Sequence, residues 1–175
     1  MNAGQIGRVK IAHKATSYPK FHPHITLATL SVETNLADIE ASITTFKAPL
    51  TAKLSSVEIG SHYFRSVYIV IEPTSEIMDL HRRIHEEVLQ TAPRTPSFPH
   101  LSLCYIDDKD AAAAFYKALK DRGKIRAGDE GGISLDCGVA EEADWMDCFK
   151  ANEFWVVRCE GAVDEWAVLR KYYIM

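Results

Sequence analysis

Apolar residues recur along the chain with two rhythms, one of period two and one of three to four, and these predict strands and helices. Residues 24 to 30, "HITLATL", predict a strand entered through Pro23. After "SVETN", Leu36, Ile39, Ile43 and Phe46 fall at helical spacing and Pro49 closes that helix. "LTAKLSSVEIG" predicts a strand over Ala52 to Ile59, punctuated by Gly60. "SVYIVIE", Ser66 to Glu72, is apolar without alternation and predicts a strand buried on both faces. Ser75 then caps a helix whose Ile77, Leu80, Ile84 and Val88 share one side as far as about Gln90.

"TAPRTPSFP" holds three of the chain's seven prolines and leads extended into a second motif strand at His100. The pattern then repeats. Asp110 caps the helix "AAAAFYKALKDR", closed by Gly123, and "ISLDCGV" alternates as a half-buried strand. "AEEADWMDCFKA" reads as a short helix or a loop, and "AGDEGG" before it as the most mobile loop. "EFWVVRCEG" and "EWAVLRKYY" predict two strands joined by a turn at Gly161 to Asp164. Each half runs motif strand, helix, two strands, so residues 1–175 read as one domain of two related lobes around one cleft.

The duplication matters because of what the two motif strands carry. Strand alternation places His24 and Thr26 on one face, with Ile25 and Leu27 anchoring the other, and treats His100 and Ser102 alike over Leu101 and Leu103. Proline precedes each histidine, an aromatic residue stands two before it, and an apolar residue follows both the histidine and the hydroxyl residue. A single histidine beside a core strand is ordinarily structural; two matching strands argue for a site. Imidazole moves protons near neutral pH. A hydroxyl on a rigid strand donates to an anionic oxygen. Hydrolysis of a phosphodiester uses this set: one histidine takes a proton from water and the other gives one to the departing oxygen. Thr26 and Ser102 would hold the nonbridging oxygens, and no metal is required.

Composition narrows the partners. At 47% apolar and 25% charged the chain is an ordinary globular protein, and a net charge of -4 argues against a long nucleic-acid partner. A small phosphate-bearing ligand remains compatible. No apolar run reaches membrane-spanning length and the N-terminus lacks a leader's apolar core, so a cytoplasmic location is expected. Cys104, Cys137, Cys148 and Cys159 form no CxxC pair and are expected to be free, small buried residues.

The paired H-x-[ST]-x motifs "HITL" and "HLSL" resemble the signature of the 2H phosphoesterase superfamily. Their flanks "FHPHITL" and "FPHLSLCYI", with "GSHYFRSVYIVIE" before the second, are most similar to its fungal and plant cyclic nucleotide phosphodiesterase branch, from about residue 21 to the C-terminus. The resemblance implies an α+β, bilobal fold of duplicated antiparallel sheets flanked by helices around a central cleft. It implies a monomeric, cofactor-free enzyme that opens 2',3'-cyclic nucleotides to 2'-phosphates. ADP-ribose 1'',2''-cyclic phosphate, a by-product of tRNA splicing, is the other implied substrate. His24 and His100 are then the proton carriers, His100 as base and His24 as acid, and Thr26 and Ser102 bind the phosphate. Tyr105 and Phe64 would line the pocket; strand parity turns Tyr105 away from His100 unless a bulge or strand end intervenes near Cys104.

The branch usually opens with a strand of the form S-L-W-L and a helix, whereas only about twenty residues precede the first motif here. "RVKIAHKA" is a candidate substitute for that strand, and a full helix does not fit. Two rivals follow: an RNA-end-processing relative acting as ligase or exonuclease, and a nucleotide-binding module with weak turnover. His81 and His85 lie four apart before Glu86, but without the HExxH order or a third ligand they read as a solvated helix flank. His22 beside His24 has Phe98 as its counterpart in the second motif, which makes that pair incidental. Trp145, Trp155, Trp166, Tyr172 and Tyr173 read as core aromatics, and "RKYY" as a weak basic and aromatic patch.

Overall fold

The computed structural model describes residues 17–43, 48–95, 97–138 and 142–174. In chain order it forms helix α1 (Leu36–Ile43), strands β1 (Leu50–His62) and β2 (Arg65–Ile71), helix α2 (Ser75–Arg83), strand β3 (His100–Cys104) and helix α3 (Lys109–Asp121). Six short strands follow: β4 (Ile125–Ala127), β5 (Ile133–Asp136), β6 (Trp145–Met146), β7 (Cys148–Ala151), β8 (Glu153–Arg158) and β9 (Ala167–Tyr173). All pairings are antiparallel, and they give sheets of order β3-β2-β1-β7, β4-β5-β6 and β8-β9. The class is mixed α and β. No helix among the described residues is long and apolar enough to cross a membrane.

β2 is the centre of this arrangement. Val67, Ile69 and Ile71 are 0–1% exposed because neighbouring strands flank the segment on both edges while Leu54, Ile77, Ile106 and Ala112 pack with them. That is the burial which an unalternating β-branched run predicts. A second cluster joins Ile43, Leu50, Leu80 and Ile84 to Leu27, Ala28, Phe154 and Tyr172. Leu27, Ala28 and the C-terminal hairpin therefore share a core with α1, α2 and the start of β1, whereas Ile25 packs on the central cluster.

The first motif departs most from expectation. Residues 24–30 do not form a strand; Ile25 alone makes an antiparallel bridge, to Leu101. β3 is an edge strand with β2 on its other side, and one bridge is all the pairing between its open edge and this segment. Leu27 O instead accepts a hydrogen bond from the Thr95 hydroxyl at 3.1 Å. The substitute strand "RVKIAHKA" lies outside the described residues.

Smaller differences have local causes. Gly60 lies inside β1, which continues to His62 through a register shift after Ile59. A Cβ there would stand 2.1 Å from Arg65 O, so glycine admits the close approach of β2 and does not end the strand. Thr74 and Asp108 cap α2 and α3 in place of Ser75 and Asp110; their side-chain oxygens accept from Ile77 N and Ala111 N. The α2 helix runs into a π turn at Ile84–Val88. "AEEADWMDCFKA" contributes β6 and β7, with Asp147 O accepting from Leu54 N at 2.8 Å, and "AGDEGG" is the connection between β4 and β5. All four cysteines are free, but only Cys104 is buried.

The Gly60 contact yields a direct prediction. Gly60→Ala forces β1 and β2 apart and lowers the free energy of unfolding by about 2 kcal/mol. Urea denaturation measures this, and an unchanged midpoint contradicts the close-approach account.

Candidate active site

The second motif rides on β3 and the first on the chain that flanks its open edge. Ser17 Oγ accepts from Asp107 N at 3.3 Å and Tyr18 N donates to Tyr105 O at 2.9 Å, before the bridge of Ile25 to Leu101. The chain thus runs antiparallel to residues 101–107. Ile25 and Leu101 join the central core. Alternation then sends His24, Thr26, His100 and Ser102 to the opposite side, with His24 facing Ser102 and Thr26 facing His100 across the bridge. That register sets the four predicted motif residues around one contact, and the charge of His24 reaches His100.

Both imidazoles are oriented in the same way. His24 Nδ1 lies 2.7 Å from His22 O, and His100 Nδ1 lies 3.0 Å from Ser97 O. A carbonyl oxygen only accepts, so each Nδ1 carries a proton and each Nε2 is left to exchange one. His24 is exposed and His100 half-buried. Burial holds His100 below its ordinary pKa, and the positive charges of Arg65 and of protonated His24 push the same way, against the Ser97 hydrogen bond. His24 and His100 are therefore close enough to feel one another, and His100 is the one biased toward neutrality.

The hydroxyls differ. Thr26 is half-buried, while Ser102 is buried and donates to Phe64 O at 2.9 Å. To donate to a bound anion, the Ser102 O–H has to rotate off that carbonyl. Tyr105 comes to the site as well: Val67 and Tyr68 of β2 pair with Cys104 and Ser102, so β3 bulges at Leu103 and then ends. This is the irregularity that strand parity demanded. The Tyr105 hydroxyl hydrogen-bonds with Ser102, and burial pushes its pKa up to about 12.

An aromatic cluster borders these groups. Phe21 stacks on Tyr105 with centroids 4.2 Å apart, and Phe64 meets Tyr105 edge-on at 5.5 Å. Phe64 also packs 5.7 Å from Trp166 and is 44% exposed. Both predicted lining residues are thus beside the motifs. Phe21 was not singled out as a lining residue, and Trp166, read from sequence as a core aromatic, is half-buried between the strands of the C-terminal hairpin and packs on Phe64.

Arg65 was also missed. Its guanidinium stands 5.8 Å from the Tyr68 ring, which meets the His100 ring edge-on at 5.4 Å. Tyr68 in turn donates to Glu58 at 2.9 Å. Arg65 Nε is buried and has no hydrogen-bond partner among the described residues. The only sequence signal was its place directly after Phe64. Hollows lined by Lys53, Glu72, Glu130 and Asp147 and by Met78, His81, Arg82 and Pro93 contain none of the four motif residues. His22 packs edge-on to Trp155 at 5.1 Å, and no three His, Cys, Asp or Glu side chains among the described residues gather as a metal-binding group.

The chain is similar to known proteins. A family model described as "Cyclic phosphodiesterase-like protein" matches residues 6–174. The chain is 28% identical over 190 aligned residues to the 2',3'-cyclic-nucleotide 3'-phosphodiesterase of Yarrowia lipolytica, covering 85% of this chain and 82% of that protein. It is 32% identical over 94 residues to the cyclic phosphodiesterase of Arabidopsis thaliana, covering 51% and 50% respectively.

The electrostatics of His100 can be checked by NMR titration. His100 titrates below 6.5. Arg65→Met removes a positive charge and moves the midpoint upward. A parent midpoint above 6.5, or none of this movement in the variant, contradicts the assigned causes.

Proposed function

Because the chain belongs to the family of cyclic phosphodiesterase-like proteins, we propose that it hydrolyses 2',3'-cyclic nucleotides to 2'-phosphates by two-histidine acid/base catalysis. The observation that supports this reading is the Ile25–Leu101 bridge, which sets His24 and His100 each one residue from a single contact, with each Nδ1 committed to a carbonyl. Two neighbouring imidazoles resist double protonation, so the pair naturally divides into one acid and one base. His100, half-buried and near Arg65, is the neutral member. His24 is then the acid.

The reaction then balances in one displacement. His100 Nε2 takes a proton from water as the water oxygen bonds to phosphorus; the bond from phosphorus to O3' breaks, and His24 Nε2 gives O3' its proton. Thr26 and Ser102 hydrogen-bond the nonbridging oxygens as charge builds on them. Arg65 adds a positive charge to a site whose other charge is also positive, a balance suited to an anion. Phe64 and Trp166 offer an exposed aromatic surface to the nucleobase. The step draws on no metal.

ADP-ribose 1'',2''-cyclic phosphate fits the same chemistry, since it presents the same five-membered ring on a ribose, and opening to the 1''-phosphate would place the enzyme after tRNA splicing. Two lobes closing over a cleft are part of this proposal; the separate clusters around Ile69 and Leu80 support it.

Product analysis with adenosine 2',3'-cyclic phosphate tests the proposal. The expected product is the 2'-phosphate, formed equally in excess chelator. Rate against pH is bell-shaped, as expected when one base and one acid must each hold the right protonation state, and its acid limb is the protonation of His100. His24→Ala and His100→Ala each lower kcat by about 10²–10⁴-fold. Tight binding without product would make the protein a nucleotide-binding module, and near-normal turnover in His24→Ala would remove the two-histidine mechanism.

A further inference from the structure

His81 and His85 read from sequence as a solvated helix flank, yet they are 4% and 5% exposed. Their hydrogen bonds can be followed atom by atom. Thr95 has one hydroxyl proton, and Leu27 O, 3.1 Å away, can only accept it. His81 Nε2, 2.8 Å from the same hydroxyl, must therefore donate. His85 Nδ1 donates to His81 O at 2.9 Å, and its Nε2 stands 3.5 Å from Thr95 Oγ1. The His81 ring stacks on Phe98 with centroids 3.8 Å apart and planes 12° from parallel.

Each end of this network touches a motif. Leu27 follows Thr26 directly, and Phe98 stands two residues before His100. The π turn at Ile84–Val88 holds His85, and Thr91 N donates to His85 O at 3.0 Å, which ties the segment leading to Thr95 back to the helix. The first motif has a single backbone bridge to β3, so the hydrogen bond at Leu27 O and the packing of its apolar side chains share in fixing its position along the strand. We infer that His81 and Thr95 are positioning residues, which lock the first-motif backbone at Leu27 and the second-motif lead at Phe98 onto one helix and so set His24 and Thr26 against His100 and Ser102. Burial and the neighbouring His85 push the pKa of His81 down to about 4, so the ring is neutral at neutral pH and its Nε2–H remains available to Thr95 without a buried charge. The inference concerns the geometry of the site and rests on the proposed reaction only for its kinetic readout.

Thr95→Val removes the hydroxyl with little change of shape, and Thr95→Ser restores it. With adenosine 2',3'-cyclic phosphate, Thr95→Val lowers kcat by about 10–100-fold at nearly constant KM, as expected when catalytic groups shift by about an ångström. Thr95→Ser recovers kcat to within about threefold. The Hε1 resonances of His24 and His100 shift in Thr95→Val and return in Thr95→Ser, a readout that needs no turnover and separates this inference from the assignment of the reaction. If Thr95→Val fails to fold, His81→Phe keeps the stacking ring, loses the donor, and is expected to show the same kinetic and spectral changes. A melting temperature that falls while kcat and both resonances stay at parent values overturns the inference, as does failure of Thr95→Ser to restore them.

Discussion

The site depends on one contact, the bridge between Ile25 and Leu101. Neither motif contains a complete pair of proton carriers. Where the two backbones meet at β3's open edge, the register puts His24 opposite Ser102 and Thr26 opposite His100, and the apolar partners of the bridge pack on the core. Burying both aliphatic side chains favours the contact by a few kcal/mol. A slip of one residue would exchange the faces and bury the histidines instead.

Around this contact the protein supports orientation more than charge. Backbone carbonyls fix both Nδ1 atoms, the β3 bulge turns Tyr105 to Ser102, and the buried His81–Thr95 pair reaches Leu27. The charges that reach His100 are those of Arg65 and His24, both positive. A bound anion would relieve that repulsion, whereas an empty site keeps His100 neutral and able to accept a proton. Such a site is prepared for its ligand by what it lacks: the reaction proposed here needs no carboxylate to orient either ring.

Periodicity identified the elements that obey it. β2 and α3 were legible because an unbroken β-branched run and a capped alanine-rich stretch each have one stable use. The four motif residues stood out in the sequence because the pattern occurs twice. The first motif's lack of a strand was not, since alternation reports which face is apolar and says nothing about whether a partner strand is present. Gly60 misled for a related reason: a glycine that ends a strand and one that lets a neighbouring strand approach look identical in sequence. His81 and His85 escaped notice because their partners, Thr95, Leu27 and Phe98, come from other segments, and helical spacing alone places histidines flanked by Arg82 and Glu86 on a wet surface. Arg65 and Trp166 likewise acquire meaning only through their neighbours in space.

The central claim is that both histidines address a single phosphate. A crystal structure of the protein with adenosine 2'-phosphate tests it most directly. The account predicts one phosphate group with oxygens about 3 Å from Nε2 of both His24 and His100 and within the reach of the Thr26 and Ser102 hydroxyls. A phosphate held by one histidine while the other points elsewhere, in a chain that retains the Ile25–Leu101 bridge, would contradict it.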